Sequence, residues 1–252
     1  MAGKLLVAKV MLAEAKLPEE SQIRQALGQI RPDAGPLELT RAEGDSLVFQ
    51  FGGETAAVSL LAEPMPSEEI GLAAAAADWY WPTAAQSLAR CHGQILVGVL
   101  PDMGDRVESA LRLTMLAAAV AEAAQAEAVL WTAAGLVHAS DAFATYARQM
   151  SRQDLPLYIW IDFHVHAEAD GTSALYTTGL TAFQSPEIEV YGSRLEPRAL
   201  VARVYDIVHY LLVKGAVLHE GDTIGRSGEE KIEIHLGPSR RDLAARVVQL
   251  GL

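Results

Sequence analysis

The chain has 252 residues, half of them hydrophobic, and a formal net charge of −12. That length supports a sizeable core, read as one globular unit over 1–252 with a candidate subdivision into 1–155 and 156–252. Such an acidic exterior repels phosphate backbones and anionic lipid, and the only basic cluster is Arg240-Arg241, so nucleic acid is excluded as an ordinary partner.

One cysteine, Cys91, can form no internal disulfide, which fits a reducing cytoplasm and leaves no Cys-based zinc or CxxC chemistry. The opening apolar run is short and broken by Lys9, so it reads as a strand rather than a signal peptide. No run of about 18 apolar residues is free of charges or breakers, so no membrane span is expected. The pattern leaves self-association open.

In chain order, Leu5 to Leu12 reads as a strand, and Pro18 opens a helix with Ile23, Leu27 and Ile30 on one face. Three short strands follow, Leu37–Arg41, Ser46–Phe51 and Thr55–Leu61, with turns at Gly44-Asp45 and Gly52-Gly53. Ser67 with Glu68 and Glu69 starts an Ala-rich helix, broken at Asp78–Pro82 and resumed to about Arg90. Gln94–Leu100 is almost wholly apolar, as a strand covered on both faces would be. Pro101 and Asp102 lead into a long helix, Asp105 to Gln125. A strand from Ala128 to Thr132 comes next, then a short helix capped by Ser140.

Beyond Pro156 a strand is expected from Leu157 to His166, returning over Ser173–Thr178. Pro186–Tyr191 is another strand. Pro197 opens a helix that closes at Lys214 and Gly215, a favoured ending. A Gly-rich turn over 221–228, a strand Lys231–Leu236 and an amphipathic piece after Pro238 complete the chain. The pattern predicts an α+β fold: mixed sheets with packed helices, arranged as two interlocked β-α-β-β-type halves.

Candidate chemistry centres on the segment before His166. A period of two puts Tyr158, Trp160, Asp162, His164 and His166 on one strand face. Two histidines two apart could converge on a divalent metal, with Asp162 as third ligand or orienter; a solvent-facing strand is the simpler account. Glu187 and Glu189 share a face ~7 Å apart, where they could divide acid and base roles or lie on a solvated edge. Asp206 and His209, three apart on a helix, are a candidate base–orienter pair or a surface contact. Trp79, Trp81 and Trp160 are candidates for an aromatic pocket, though core positions are their commoner use. No GxSxG, HExxH, EF-hand or P-loop signature occurs, and no cofactor motif.

Several runs together carry a resemblance: AAADWYWPTAAQSLARCHGQILVGV, AVLWTAAGLVHA, LPLYIWIDFHV, and LYTTGLTAF followed by PEIEV, then HYLL and GDTIG. They resemble the DUF4261 family, bacterial proteins of unknown function, with the named domain expected over about Tyr158–His235. One departure is Gln184, where the family pattern has Gly after Phe. The resemblance implies a cytoplasmic bacterial protein and brings no catalytic residue, substrate or cofactor. The expectation drawn from all of this is a non-enzymatic protein-interaction or regulatory module. An immunity-type protein that meets a basic partner by charge is one version. A metal-assisted hydrolase using Asp162, His164 and His166, and a small-molecule binder using the tryptophans, are the rivals.

Overall fold

A computed structural model of the chain describes residues 5–100, 105–225 and 230–252. Pro101 and Asp102, and part of the expected 221–228 turn, lie outside the described residues. The fold is α+β, with mixed and antiparallel sheets. The chain divides into two compact units, Met1–Trp160 and Ile161–Leu252.

The first unit contains β1 (Leu6–Leu12), α1 (Glu20–Ile30), β2 (Leu37–Glu43), β3 (Ser46–Phe51) and β4 (Glu54–Leu61). It continues with α2 (Ser67–Ala77), α3 (Ala84–Leu88), β5 (Gly93–Leu100), α4 (Arg106–Ala123), β6 (Ala128–Trp131), β7 (Leu136–Ala139), α5 (Ser140–Gln149) and α6 (Leu157–Trp160). Its strands form a seven-stranded antiparallel sheet in the order β2-β3-β4-β5-β1-β6-β7.

Alternation along β1 sets the two faces. Leu6, Ala8 and Val10 pair with Val99, Val97 and Ile95, and all are buried beneath a helical layer that includes α4. α4 is buried on nearly every side, so its sequence shows no narrow apolar stripe. Asp105 caps it by accepting from the Val107 N–H at 2.9 Å. On the other face, Met11, Leu130 and Val137 pack with Ala73, Ala74 and Ala77 of α2 and with Leu88 of α3. The small alanine side chains let α2 lie close, and Lys9 reaches Glu69 on it at 2.6 Å.

Several local expectations are corrected here. The helix expected to open at Pro18 begins at Glu20 with Glu19 as its cap. Ser140 does not cap α5: the cap residue is Ala139, and the buried Ser140 Oγ has no hydrogen-bond partner. A strand not foreseen, β7, turns back on β6 through Gly135 at φ +71°. The strand expected from Leu157 is split, because Leu157, Ile159 and Trp160 all sink into the core as one helical turn after Pro156. Burial of the consecutive pair Ile159 and Trp160 is incompatible with a half-exposed strand.

The second unit contains β8 (Asp162–Ala167), β9 (Ser173–Thr178), a 3₁₀ turn (Leu180–Phe183), β10 (Ile188–Ser193), α7 (Pro197–Lys214), β11 (Thr223–Ile224), β12 (Ile232–Pro238) and β13 (Arg246–Leu250). The strand order is β11-β12-β13-β10-β9-β8, with β10 and β13 parallel and the other pairs antiparallel. α7 packs on β8 and β9 through Leu200, Val204, Val208 and their apolar neighbours. Pro197 stands at its start, and Gly215 closes it in the left-handed conformation, donating to the Leu211 carbonyl.

The 3₁₀ turn ends on Gln184, which takes φ +60° and ψ +24°. A side chain in this left-handed conformation costs energy that Gly does not. Gln184→Gly is expected to stabilise the second unit by about 1 kcal/mol or less, the gain being reduced by Gly's greater freedom when unfolded. Thermal unfolding followed by circular dichroism would show it; a lowered midpoint would refute it.

Candidate functional site

The register of the second sheet builds a polar face. His164 on β8 lies opposite Tyr176 on β9, and Tyr176 lies opposite Glu189 on β10. Cross-strand partners share a face, so Asp162, His164 and His166 join Tyr176, Glu189 and Tyr191. The alternate set, Phe163, Leu175, Ile188 and Val190, forms the other face, on the side of α7. Phe163 meets the Tyr205 ring of α7 at 5.8 Å.

Asp162, His164 and His166 therefore do share one face, but Tyr158 and Trp160 precede the strand and do not. His164 stacks on the Tyr176 ring at 4.5 Å, and the two histidine rings are 6.0 Å apart. Among the described residues no three His, Cys, Asp or Glu side chains are grouped to hold a metal ion. Burial raises the pKa of Asp162, partly offset by electrostatic interaction with His164 and Arg241.

The two candidate acid–base carboxylates are both engaged in holding backbone. Glu187 accepts from the Thr177 hydroxyl at 2.7 Å, the Gly179 N–H at 2.9 Å and the Thr181 N–H at 3.1 Å, which pins the 3₁₀ turn. Glu189 is 3% exposed and accepts from the Ser239 hydroxyl, the Tyr191 hydroxyl and the Arg240 N–H. A buried carboxylate whose oxygens are taken up by several donors is held in one place, which suits a fixed anchor.

What Glu189 anchors is the turn between β12 and β13. Ser239 Oγ donates to Glu189 at 2.5 Å and accepts from the N–H groups of Arg241 and Asp242. The backbone of Ser239 and Asp242 is tied in turn to Ala245. This sets two arginines on the polar face. The Arg241 guanidinium lies 3.3 Å from the centre of the Tyr176 ring, and that of Arg240 lies 4.2 Å from the centre of the Tyr191 ring. Both arginines are exposed, as is Leu243 at 81%. Tyr176 and Tyr191 are diagonal neighbours on adjacent strands, so the stacked pairs sit side by side. The Arg-Arg pair stood out in the sequence only as a charge feature; its tyrosine partners lie 49 and 65 residues upstream, and only strand register joins them.

The remaining candidates do not assemble. His209 stacks on Tyr205, whereas Asp206 lines a different cleft with Arg203 and Tyr210. Trp79, Trp81 and Trp160 do not share a pocket. Trp160 is fully buried on the α4 side, stacked on Trp131, with its Nε1–H donated to Thr114 Oγ1 at 2.9 Å. Trp81 packs on the opposite face, against the cluster around Met11 and Leu130, and Trp79 is 80% exposed. Cys91 is buried, its thiol is pushed up to about 11 chiefly by burial, and it donates to the Ser87 carbonyl, so it is a packed thiol and not a nucleophile.

The chain is thus an α+β protein whose second sheet presents an aromatic and cationic face. Residues 176–250 match the family described as Domain of unknown function (DUF4261), which supports the resemblance carried by the motifs. The match starts at Tyr176 rather than Tyr158 and takes in Tyr191, Glu189 and the Arg240-Arg241 turn. No curated protein and no solved structure matches the chain. Among the described residues no helix is long and apolar enough to cross a membrane.

Proposed function

We propose that this chain is a non-enzymatic protein-interaction module of the bacterial cytoplasm, regulatory or immunity-like in kind, which docks its partner on the polar face of the second sheet. The observation that carries the reading is the division of labour on that face. Two of its carboxylates, Glu187 and Glu189, are occupied with backbone and hydroxyl donors, while arginine, tyrosine and an apolar tip, Leu243, are presented outward. Arg and Tyr dominate the energetics of protein interfaces, and rings and guanidiniums held in place lose little freedom on binding. Overall acidity suggested a basic partner, but the charges stacked on this face's tyrosines are Arg240 and Arg241, so an acidic group is the better complement at that point.

The test is affinity capture from native extract with the wild-type chain and with Tyr176→Ala and Arg241→Ala. A species retained by the wild type, released by both variants and kept by Arg41→Ala on the first unit supports the reading. Equal retention by all four chains sinks it. Metal analysis of chelator-free protein runs alongside. About one zinc, manganese or iron per chain, lost on His164→Ala, would establish the metal-assisted reading in its place.

A further inference from the structure

We infer that Arg240 and Arg241 together receive a phosphate monoester carried by the protein partner. The inference rests on the docking face proposed above and gives that face its ligand chemistry. Each guanidinium lies over a tyrosine ring, Arg240 on Tyr191 at 4.2 Å and Arg241 on Tyr176 at 3.3 Å, and both side chains are exposed, so each keeps N–H groups within reach of solvent. Among the described residues neither arginine makes an ion pair, as is also true of Arg194, Arg198 and Arg246; Arg240 and Arg241 differ from these in being adjacent and in each lying over a tyrosine ring. In a chain of net charge −12, two adjacent cations without a carboxylate partner call for an explanation.

The backbone beneath them is fixed in advance. Glu189 holds Ser239 and the Arg240 N–H, and Ser239 holds the N–H groups of Arg241 and Asp242. The ordering of the turn is thereby part of the fold and not a cost of binding. One guanidinium fork satisfies one carboxylate; two forks side by side offer twice the donors and charge, which suits a dianion with three free oxygens. The nearby carboxylates are Asp162, whose ionised form burial disfavours, Glu189, whose oxygens accept from Ser239, Tyr191 and Arg240, and the exposed Asp242, one oxygen of which accepts from the Ala244 N–H; Glu233 and Glu220 lie against His235. His164, stacked on the same Tyr176 ring as Arg241, adds ring N–H capacity at the rim.

The test reads the Arg240 and Arg241 Nε–H signals by NMR on the full chain at constant ionic strength. The probes are N-acetyl-phosphoserine amide, N-acetyl-glutamate amide and inorganic phosphate. The expected result is a saturable shift of both signals by the phosphoserine probe, with the glutamate probe at least tenfold weaker. Arg241→Lys, which keeps the charge but not the planar fork, should weaken phosphoserine binding about tenfold with an unchanged unfolding midpoint. No saturable shift, equal affinity for the glutamate probe, or full binding by Arg241→Lys would overturn the inference. Each of these would leave the captured partner, and the docking reading, standing. Inorganic phosphate binding tenfold more tightly than the phosphoserine probe would also overturn it, by making the free ion the ligand.

Discussion

Glu54→Ala is expected to destabilise the first unit by about 4 kcal/mol, the range found when one partner of a buried ion pair is removed. Glu54 opens β4 just after the Gly52-Gly53 turn and is 6% exposed. It accepts from Ser109 Oγ at 2.5 Å and from Arg112 Nη1 at 2.9 Å, both on α4. Its charge also acts on Arg106, whose pKa burial lowers and Glu54 raises. Truncation leaves the Arg112 cation and the Ser109 hydroxyl without this anion at the seam between the β3–β4 hairpin and its main helix. Because the Arg112 side chain is 23% exposed, water can reach it, and Arg112→Ala should cost less than Glu54→Ala. The double variant should lose less than the sum of the two. Urea unfolding followed by tryptophan fluorescence suits the measurement, since all four tryptophans lie before residue 161. A loss below about 1 kcal/mol would mean that the seam does not depend on this carboxylate.

Acid should weaken the same unit through His138. This ring is 6% exposed, lies between Tyr80 at 5.1 Å and Tyr146 at 6.3 Å, and has no hydrogen-bond partner at Nε2. Burial pushes its pKa down to about 4, outweighing a hydrogen bond to the Tyr158 backbone that works the other way. A histidine that titrates near 6.5 when unfolded and near 4 when folded binds its proton more readily in the unfolded chain. Its contribution is therefore intact above pH 6.5, falls as pH drops from 6.5 to 4, and reaches about 3 kcal/mol of lost stability below that. His138→Phe keeps a ring against Tyr80 and removes the proton site. The variant's stability should be flatter over that interval, and parallel curves for the two proteins would refute the assignment.

Much of the framework is legible in the sequence because it rests on local rules. Pro197 and Gly215 mark both ends of α7, and glycine turns separate β2, β3 and β4 at the expected places. The errors come where tertiary burial overrides period. Trp160 leaves the strand pattern because its indole finds Thr114 across the core, and β7 hides in a four-residue return too short to show alternation. Half of the polar face is readable: the alternation in Asp162, His164 and His166 survives as drawn. The roles of the carboxylates are not readable. Glu189 is a probe of nothing until Ser239, fifty residues on, is known to lie beneath it, and the Arg-Arg pair has no chemistry until register sets tyrosines under it.

The order of strands in the second unit also governs when it can be completed. β13 is the last strand in the sequence, yet it sits between β10 and β12, parallel to the first and antiparallel to the second. On a ribosome, β8, β9 and β10 can form a meander early, and β11 and β12 a hairpin, but no strand of one piece pairs with a strand of the other without Arg246–Leu250. Until those residues emerge, both β10 and β12 carry open edges able to pair with another chain. The Ser239–Ala245 turn joins β12 to β13, so it too sets only when Arg246–Leu250 have emerged and the sheet is whole.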